Sequence, residues 1–223
     1  MDWNNDGKKD LLSGDTKGQV WLYLNTGTVT EPVLAAGVRV LSAGNPITGK
    51  PVALNDGSGK SISPQSLMGS YSKLHWGDVH GDGLEDLLVG QSYGTQNHIV
   101  VYRNVGTIDK PELAKPKTFT LAKLSKSRPS PYLGDLDGDG KPDMICGTDG
   151  KDILFYRNTG TVSKPKWPKA EKLKLKGPGF QNGYRHRLTV TDWNEDGKSD
   201  LLVGDYYQKN GSISGNLWLF LGK

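Results

Sequence analysis

Asp135-Leu136-Asp137-Gly138-Asp139-Gly140-Lys141-Pro142-Asp143, running into Met144-Ile145-Cys146-Gly147, is the stretch from which the rest of the chain can be read. Carboxylates stand at positions 1, 3, 5 and 9 of a nine-residue loop, with glycine at position 6 and an apolar run behind. Four like charges held this closely repel one another unless a cation sits among them. Alternating aspartates around a turn-forming glycine wrap oxygen ligands about a hard cation such as Ca²⁺.

The pattern recurs at Asp2 to Asp10, Asp78 to Asp86 and Asp192 to Asp200, with first aspartates 76, 57 and 57 residues apart. A fixed period means that each unit buries its apolar face on its neighbours, so the array outranks any local reading. The repeats fall at about 1–71, 72–130, 131–186 and 187–223 of a single domain spanning 1–223. Each loop leads into an apolar run closed by glycine: Leu11 to Gly14, Leu87 to Gly90, Met144 to Gly147 and Leu201 to Gly204. A second run follows at Val20 to Leu24, Ile99 to Arg103, Ile153 to Arg157 and Leu217 to Leu221. Runs of four or five β-branched and aromatic residues are strand-sized and too short for helices. Three repeats then hold Asn-x-Gly-Thr-x-x-x-Pro without slippage, at Asn25 to Pro32, Asn104 to Pro111 and Asn158 to Pro165, which marks a turn.

A weaker third strand is expected at Val38–Leu41, Phe119–Leu124 and Leu173–Lys176. A fourth, entering the next loop, is expected at Ser72–Trp76, Pro131–Gly134 and Arg187–Thr191. Four short strands per unit make one blade of a β-propeller. The fold expected is all-β: a β-propeller of four loop repeats, either four-bladed or an incomplete part of a larger propeller. Repeat one lacks the strand that precedes its loop, and repeat four ends before an outer strand, so association with another copy is one way to close the ring.

By position, the third loop offers Asp135, Asp137, Asp139 and Asp143 with the Lys141 carbonyl. The first and fourth offer Asp2, Asn4, Asp6, Asp10 and Asp192, Asn194, Asp196, Asp200, with the carbonyls of Lys8 and Lys198. Oxygen-only ligation with several carboxylates selects Ca²⁺ over Zn²⁺, and irregular geometry disfavours Mg²⁺. The second loop has Asp78, Asp82, Asp86 and the Leu84 carbonyl, but His80 at position 3 is a nitrogen donor poorly matched to Ca²⁺. Up to four Ca²⁺ are expected, with the Asp78–Asp86 site the weakest. An EF-hand is excluded: position 12 is Ser13, Val89 and Val203 in three loops, is never acidic, and lies in strand-like sequence.

The pattern Asp-x-Asn-x-Asp-Gly-x-x-Asp-Leu-Leu-x-Gly, followed by Val20-Trp21-Leu22-Tyr23-Leu24-Asn25-Thr26-Gly27, resembles the FG-GAP and VCBS-type repeats of integrin α-chain propellers and of many bacterial secreted proteins. The resemblance covers nearly the whole chain. It implies a β-propeller with Ca²⁺ in the loops joining the first two strands of each blade. The departures are His80 and the count of four motifs where integrin-like propellers have seven blades.

The chain carries 28 Lys and Arg against 24 Asp and Glu. Thirteen of the acidic residues sit at ligand positions, leaving 11 to face all 28 cations elsewhere. Metal-loaded loops would raise the net charge from +4 to about +12. Such a surface favours anionic ligands, including acidic glycans or a protein or glycan on a cell surface or matrix. No nucleic acid is expected as a partner. No run approaches the roughly 18 apolar residues of a membrane span. Met1 leads straight into the first loop, with no leader peptide between. The lone Cys146, in an apolar strand, reads as a buried structural thiol.

Trp3 and Trp193, at loop position 2, align with Val79 and Leu136 and read as core between blades, as do Trp21, Tyr23, Trp218 and Phe220. Trp167, Tyr184, Tyr206 and Tyr207 fall in loop-like sequence and are candidates for stacking on sugar rings. Arg185, His186 and Arg187 form a basic run beside Tyr184, and repeat one carries 19 extra residues roughly within 45–71, a stretch rich in Gly, Ser, Pro and Asn. The expected function is a secreted or cell-surface binding and adhesion module, lectin-like and Ca²⁺-stabilised. No nucleophile elbow or HExxH motif is present, so no enzyme is expected. A polysaccharide lyase and a structural subunit of a surface assembly are the alternatives.

Overall fold

A computed structural model describes residues 1–49, 72–93, 96–120, 128–177, 180, 183–209 and 211–222. Among them every regular element is a strand. The first sheet joins β1 (Leu11–Gly14), β2 (Val20–Tyr23) and β3 (Val38–Arg39) in that order, and a separate hairpin of β4 (Leu41–Ser42) and β5 (Asn45–Pro46) follows. The second sheet runs β6 (Lys73–Gly77), β7 (Asp86–Tyr93), β8 (Gln96–Tyr102), β9 (Lys117–Thr120). The third runs β10 (Ser130–Gly134), β11 (Asp143–Gly147), β12 (Ile153–Tyr156), β13 (Glu171–Lys172). In the fourth, β14 (Tyr184–Thr191) pairs with β15 (Asp200–Lys209). The near half of β15 pairs with β17 (Leu217–Phe220) and its far half with β16 (Ser212–Ser214). All pairings between strands are antiparallel. The four small sheets are the blades of a four-bladed β-propeller.

Strand alternation sends successive side chains to opposite faces of each blade, and the two faces do different jobs. On the forward face of blade 1, Val20 and Leu22 meet Leu87, Val89, Val100 and Tyr102 on the back face of blade 2. Ile99 and Val101 on the forward face of blade 2 meet Met144, Cys146, Leu154 and Tyr156 of blade 3. Ile145 and Ile153 of blade 3 meet Leu201, Val203, Trp218 and Phe220 of blade 4. The core is therefore three apolar seams between consecutive blades. Each fully buried side chain of this size contributes about 1.5–3 kcal/mol.

The glycine that closes the loop-following run has a steric reason in three of the four blades. A Cβ at Gly14 would collide with the Ser72 carbonyl oxygen, one at Gly90 with that of Pro129, and one at Gly147 with that of His186. In each case the obstacle is the inner strand, or the residue just before it, of the next blade. Glycine lets the two backbones come that close.

The inner strands form where expected, with β14 extending back to Tyr184. The outer strands depart from expectation. In blade 3 the strand is Glu171–Lys172, paired with Phe155 and Leu154, rather than Leu173–Lys176. Leu173 and Leu175 instead turn their side chains into the seam with blade 4, where apolar burial outweighs a longer ladder. In blade 1 the run Val38–Leu41 is split, because Val40 is buried against blade 2 while Leu41 and Ser42 begin a new hairpin. In blade 2 the strand is Lys117–Thr120; positions 121–124 of the expected strand lie outside the described residues. The same holds for 50–71 of the insertion. Among the described residues, the first sheet has no inner strand before β1.

Candidate functional site

Each acidic loop is wound by its own carboxylates. The first aspartate accepts backbone N–H groups from the far side of the turn: Asp2 from Asp6 and Gly7, Asp135 from Gly138, Asp139 and Gly140, Asp192 from Asp196 and Gly197. Asp78 does the same for four N–H groups, His80 to Gly83. The fifth-position carboxylates of Asp6, Asp82, Asp139 and Asp196 each accept from the residue two places on. The glycine at position 6 sits at φ near +80° in every loop, where a side chain would be strained.

The ninth position does something the sequence did not reveal. Asp10 accepts from Trp3 N and Asn25 N, both at 2.7 Å. Asp86 accepts from Val79 N at 3.2 Å and Asn104 N at 2.7 Å, and Asp143 from Leu136 N at 3.4 Å and Asn158 N at 2.8 Å. Asp200 accepts from Trp193 N and Gly222 N, both at 2.8 Å. One carboxylate thus ties the start of its loop to the end of the second strand, and all four are buried. Burial raises the pKa of Asp86 and Asp143, at Asp143 together with the nearby charges of Asp139 and Asp135; at Asp200 the hydrogen bond from Gly222 N lowers it.

The residues left to face a cation differ between loops. Oxygens of Asp135, Asp137 and Asp143 lie within 4.8 Å of one another, the one such acidic group of three among the described residues. In the first loop Asn4 Nδ2 donates to Asp6 at 3.2 Å, and Asn4 Oδ1 is buried without a hydrogen-bond partner. An orphaned carbonyl oxygen among aspartates is a donor set that suits a hard cation. The second loop is built otherwise. His80 Nδ1 is 2.7 Å from Asp86 Oδ2, and Arg103 Nη2 is 2.8 Å from Asp82 Oδ2, a pair that holds the Asp82 carboxyl below the usual range. Two of its three aspartates thus already pair with side-chain nitrogens. Arg157 stands at the same place in blade 3 as Arg103 in blade 2, and pairs with Asp137 while Lys141 pairs with Asp139. Both of those pairs are partly exposed, where ion pairs contribute little.

Of the stacking candidates, Tyr184 and Tyr206 are register partners, and the Arg185 guanidinium lies 4.7 Å above the Tyr206 ring. Lys151 Nζ is 5.3 Å from the Tyr184 ring. Arg185 sits at φ +56° in a β-bulge, which is what turns it onto its neighbour. Tyr207 points to the other face, opposite Ser214. Trp167 packs on the seam between blades 2 and 3 and donates Nε1–H to the Pro142 carbonyl at 3.4 Å. The basic run divides three ways: Arg185 is exposed, His186 is fully buried with a pKa lowered by that burial, and Arg187 pairs with Asp149 at 3.3 Å.

A second feature escaped the sequence altogether. Between blades 2 and 3 opens a cleft of about 650 Å³ whose rim carries His80, Arg103, Lys115, Lys117, Lys164 and Lys166. Val79, Val101, Ala114 and Pro165 form its floor, and no carboxylate lines it. The lysines and the arginine come from two stretches, 103–117 and 164–166, on different blades, so no local run signals the cluster. The Asn-x-Gly-Thr-x-x-x-Pro turn of repeat three delivers two of them, as Lys164-Pro165-Lys166.

The model of FG-GAP-like repeats matches residues 78–146 and 135–203, more than half of the chain. No curated protein shows significant similarity to it.

Proposed function

Because the chain belongs to the FG-GAP-like repeat family, we propose that it is a secreted or cell-surface binding module, braced by Ca²⁺ in its acidic loops, that takes an anionic glycan into the cleft between blades 2 and 3. The observation that carries the ligand is the cleft itself. Five Lys and Arg side chains and a histidine converge on an apolar floor; no carboxylate lines the cleft, although Arg103 and His80 pair with Asp82 and Asp86 behind it. Convergent like charges over a low-dielectric wall focus potential and concentrate an oppositely charged polymer. The apolar floor suits the faces of sugar rings. The bracing ions would be held by the carboxylates of Asp135, Asp137, Asp139 and Asp143 and by their counterparts in the first and fourth loops. Bound there, Ca²⁺ supplies charge neutralisation, and stability follows metal concentration.

The test is titration with a sulfated or uronate polysaccharide and with a neutral polymer of equal length. Binding to the acidic polymer alone is expected, with affinity falling at least tenfold between 50 and 500 mM NaCl. The triple variant K115E/K164E/K166E should lose binding, whereas K174E/K176E, on the outer side of blade 3, should keep it. Salt-insensitive binding, or equal binding by the triple variant, overturns the cleft as the site.

A further inference from the structure

Each of the three seams carries a cleft at the same place in the fold, and the three differ. Between blades 3 and 4, Leu173 and Leu175 turn into it and leave about 260 Å³. Between blades 1 and 2 it is open, at about 620 Å³, close to the 650 Å³ of the basic cleft beside it. Both open clefts have the size of small-molecule sites. They are also neighbours. Ala114 and Lys115 of blade 2 line both, so a single ridge separates them and one extended ligand can lie across it.

Because the blades repeat, the walls of the two clefts correspond residue by residue. Val38 pairs with Leu22 in blade 1 as Lys117 pairs with Val101 in blade 2. Glu112 follows Asn104 by eight residues as Lys166 follows Asn158, and each donates its N–H to the Oδ1 of that asparagine. Trp3 and Val79 both hold loop position 2. Where the basic cleft has Lys117, Lys166 and Val79, the cleft beside it therefore has Val38, Glu112 and Trp3. Two cations are gone, a carboxylate stands in place of one of them, and an indole is added. Arg39 lines this cleft too, but its guanidinium lies 5.2 Å above the Trp21 ring and donates to the Ile47 carbonyl, so its charge is engaged elsewhere.

Such a wall repels an acidic group and suits an uncharged ring that carries hydroxyls. Trp3 is held by a tilted stack on Trp76, with centroids 4.6 Å apart, and Val38, Leu41 and Val105 around the opening are 49 to 60 % exposed. These apolar surfaces can take the C–H face of a sugar. The exposed Glu112 carboxylate is an acceptor only, so it takes hydroxyl protons and turns away a second carboxylate.

We infer that the two clefts are one extended site for a heteroglycan in which charged and uncharged units alternate. An acidic unit lies between blades 2 and 3, an uncharged unit lies between blades 1 and 2, and the chain crosses at Lys115. The inference rests on the glycan reading of the basic cleft and adds to it a second subsite of different chemistry.

Calorimetric titration with two hexasaccharides tests it, one alternating a uronate with an uncharged N-acetylhexosamine, the other uronate throughout. At 150 mM NaCl the alternating hexamer should bind about tenfold tighter, the worth of one hydrogen bond to a charged acceptor. The variant V38K/E112K copies the basic cleft into its neighbour and should reverse that preference. Both positions are exposed, so its circular dichroism spectrum should match wild type. E112Q, which removes the charge at constant shape, should narrow the preference by itself. If K115E/K164E/K166E abolishes binding of both hexamers while V38K/E112K and E112Q leave their ratio unchanged, the basic cleft stands and the second subsite is overturned. If neither hexamer binds, or if binding survives the triple variant, the glycan reading falls and the extended site falls with it.

Discussion

The second and third acidic loops share a fold and part company in chemistry. Both wind their backbone round the first carboxylate, both place glycine at φ near +80°, and both bury the ninth aspartate. At position 3, however, loop 3 has Asp137 beside Asp135 and Asp143, whereas loop 2 has His80 bonded to Asp86. In loop 2, two of the carboxylates pair with side-chain nitrogens, Asp86 with His80 and Asp82 with Arg103. Loop 3 brings three carboxylates together, and its partly exposed pairs with Arg157 and Lys141 offset only part of that charge. The motif thus contains a backbone brace at positions 1, 6 and 9 and, on the reading proposed above, a cation cup centred on position 3.

The largest effect should come from removing the ion. A ligand at a thousand times its Kd stabilises a fold by about 4 kcal/mol per site, so chelation should lower the Tm of the chain sharply, and Ca²⁺ should restore it. Loop by loop, D137N should lower the number of Ca²⁺ bound per chain by one in native mass spectrometry. H80D, which gives loop 2 an oxygen at position 3, should raise it by one. A melting curve indifferent to EDTA removes the cup from the account and leaves the brace.

Next comes the brace, which both loops share. D86A and D143A each leave two backbone N–H groups without their acceptor, at about 1–3 kcal/mol apiece where they are buried. In EDTA both should cost about 2–6 kcal/mol in urea unfolding, D86A the more because it also leaves His80 Nδ1 without its partner. A much larger loss at Asp143 than at Asp86 under chelation would mean that the ninth carboxylate serves mainly the cup.

This division was only half legible in the sequence. The fold could be read because period, glycine spacing and strand-sized runs repeat four times, and because each seam uses alternation that is visible in one dimension. The carboxylates could be read as a set, but the ninth looked like another ligand, since its bonds to Asn25, Asn104 and Asn158 join residues 15 to 18 apart. Trp193 aligns with the buried Val79 and reads as core, yet it is 59 % exposed, a difference that no local pattern carries. The lysine cleft assembles from two blades, so it exists only in three dimensions.

The smallest effect extends the comparison one step upstream, to the strands that enter the two loops. His75, three residues before Asp78, and Tyr132, three before Asp135, occupy equivalent places and stack on each other, with ring centroids 4.1 Å apart. Tyr132 donates its hydroxyl to the Val190 carbonyl at 2.8 Å, whereas burial lowers the His75 pKa to about 4. In the folded chain the imidazole stays neutral down to that value, while in the unfolded chain it takes a proton below its ordinary value of about 6.5. Between those limits the unfolded state binds more protons, so stability is full above pH 6.5 and falls as the pH drops towards 4. His186, also lowered by burial, adds to the same trend. In EDTA, where acid cannot act through release of an ion, unfolding free energy should fall between pH 6.5 and 4.5 by up to about 1.4 kcal/mol per pH unit for each such histidine. H75F keeps an aromatic ring against Tyr132 and carries no proton, so it should remove one histidine's share of that slope while leaving stability at pH 8 nearly unchanged. If the slope survives the substitution intact, the imidazole is being protonated within the fold, and the entry to loop 2 is wetter than the entry to loop 3.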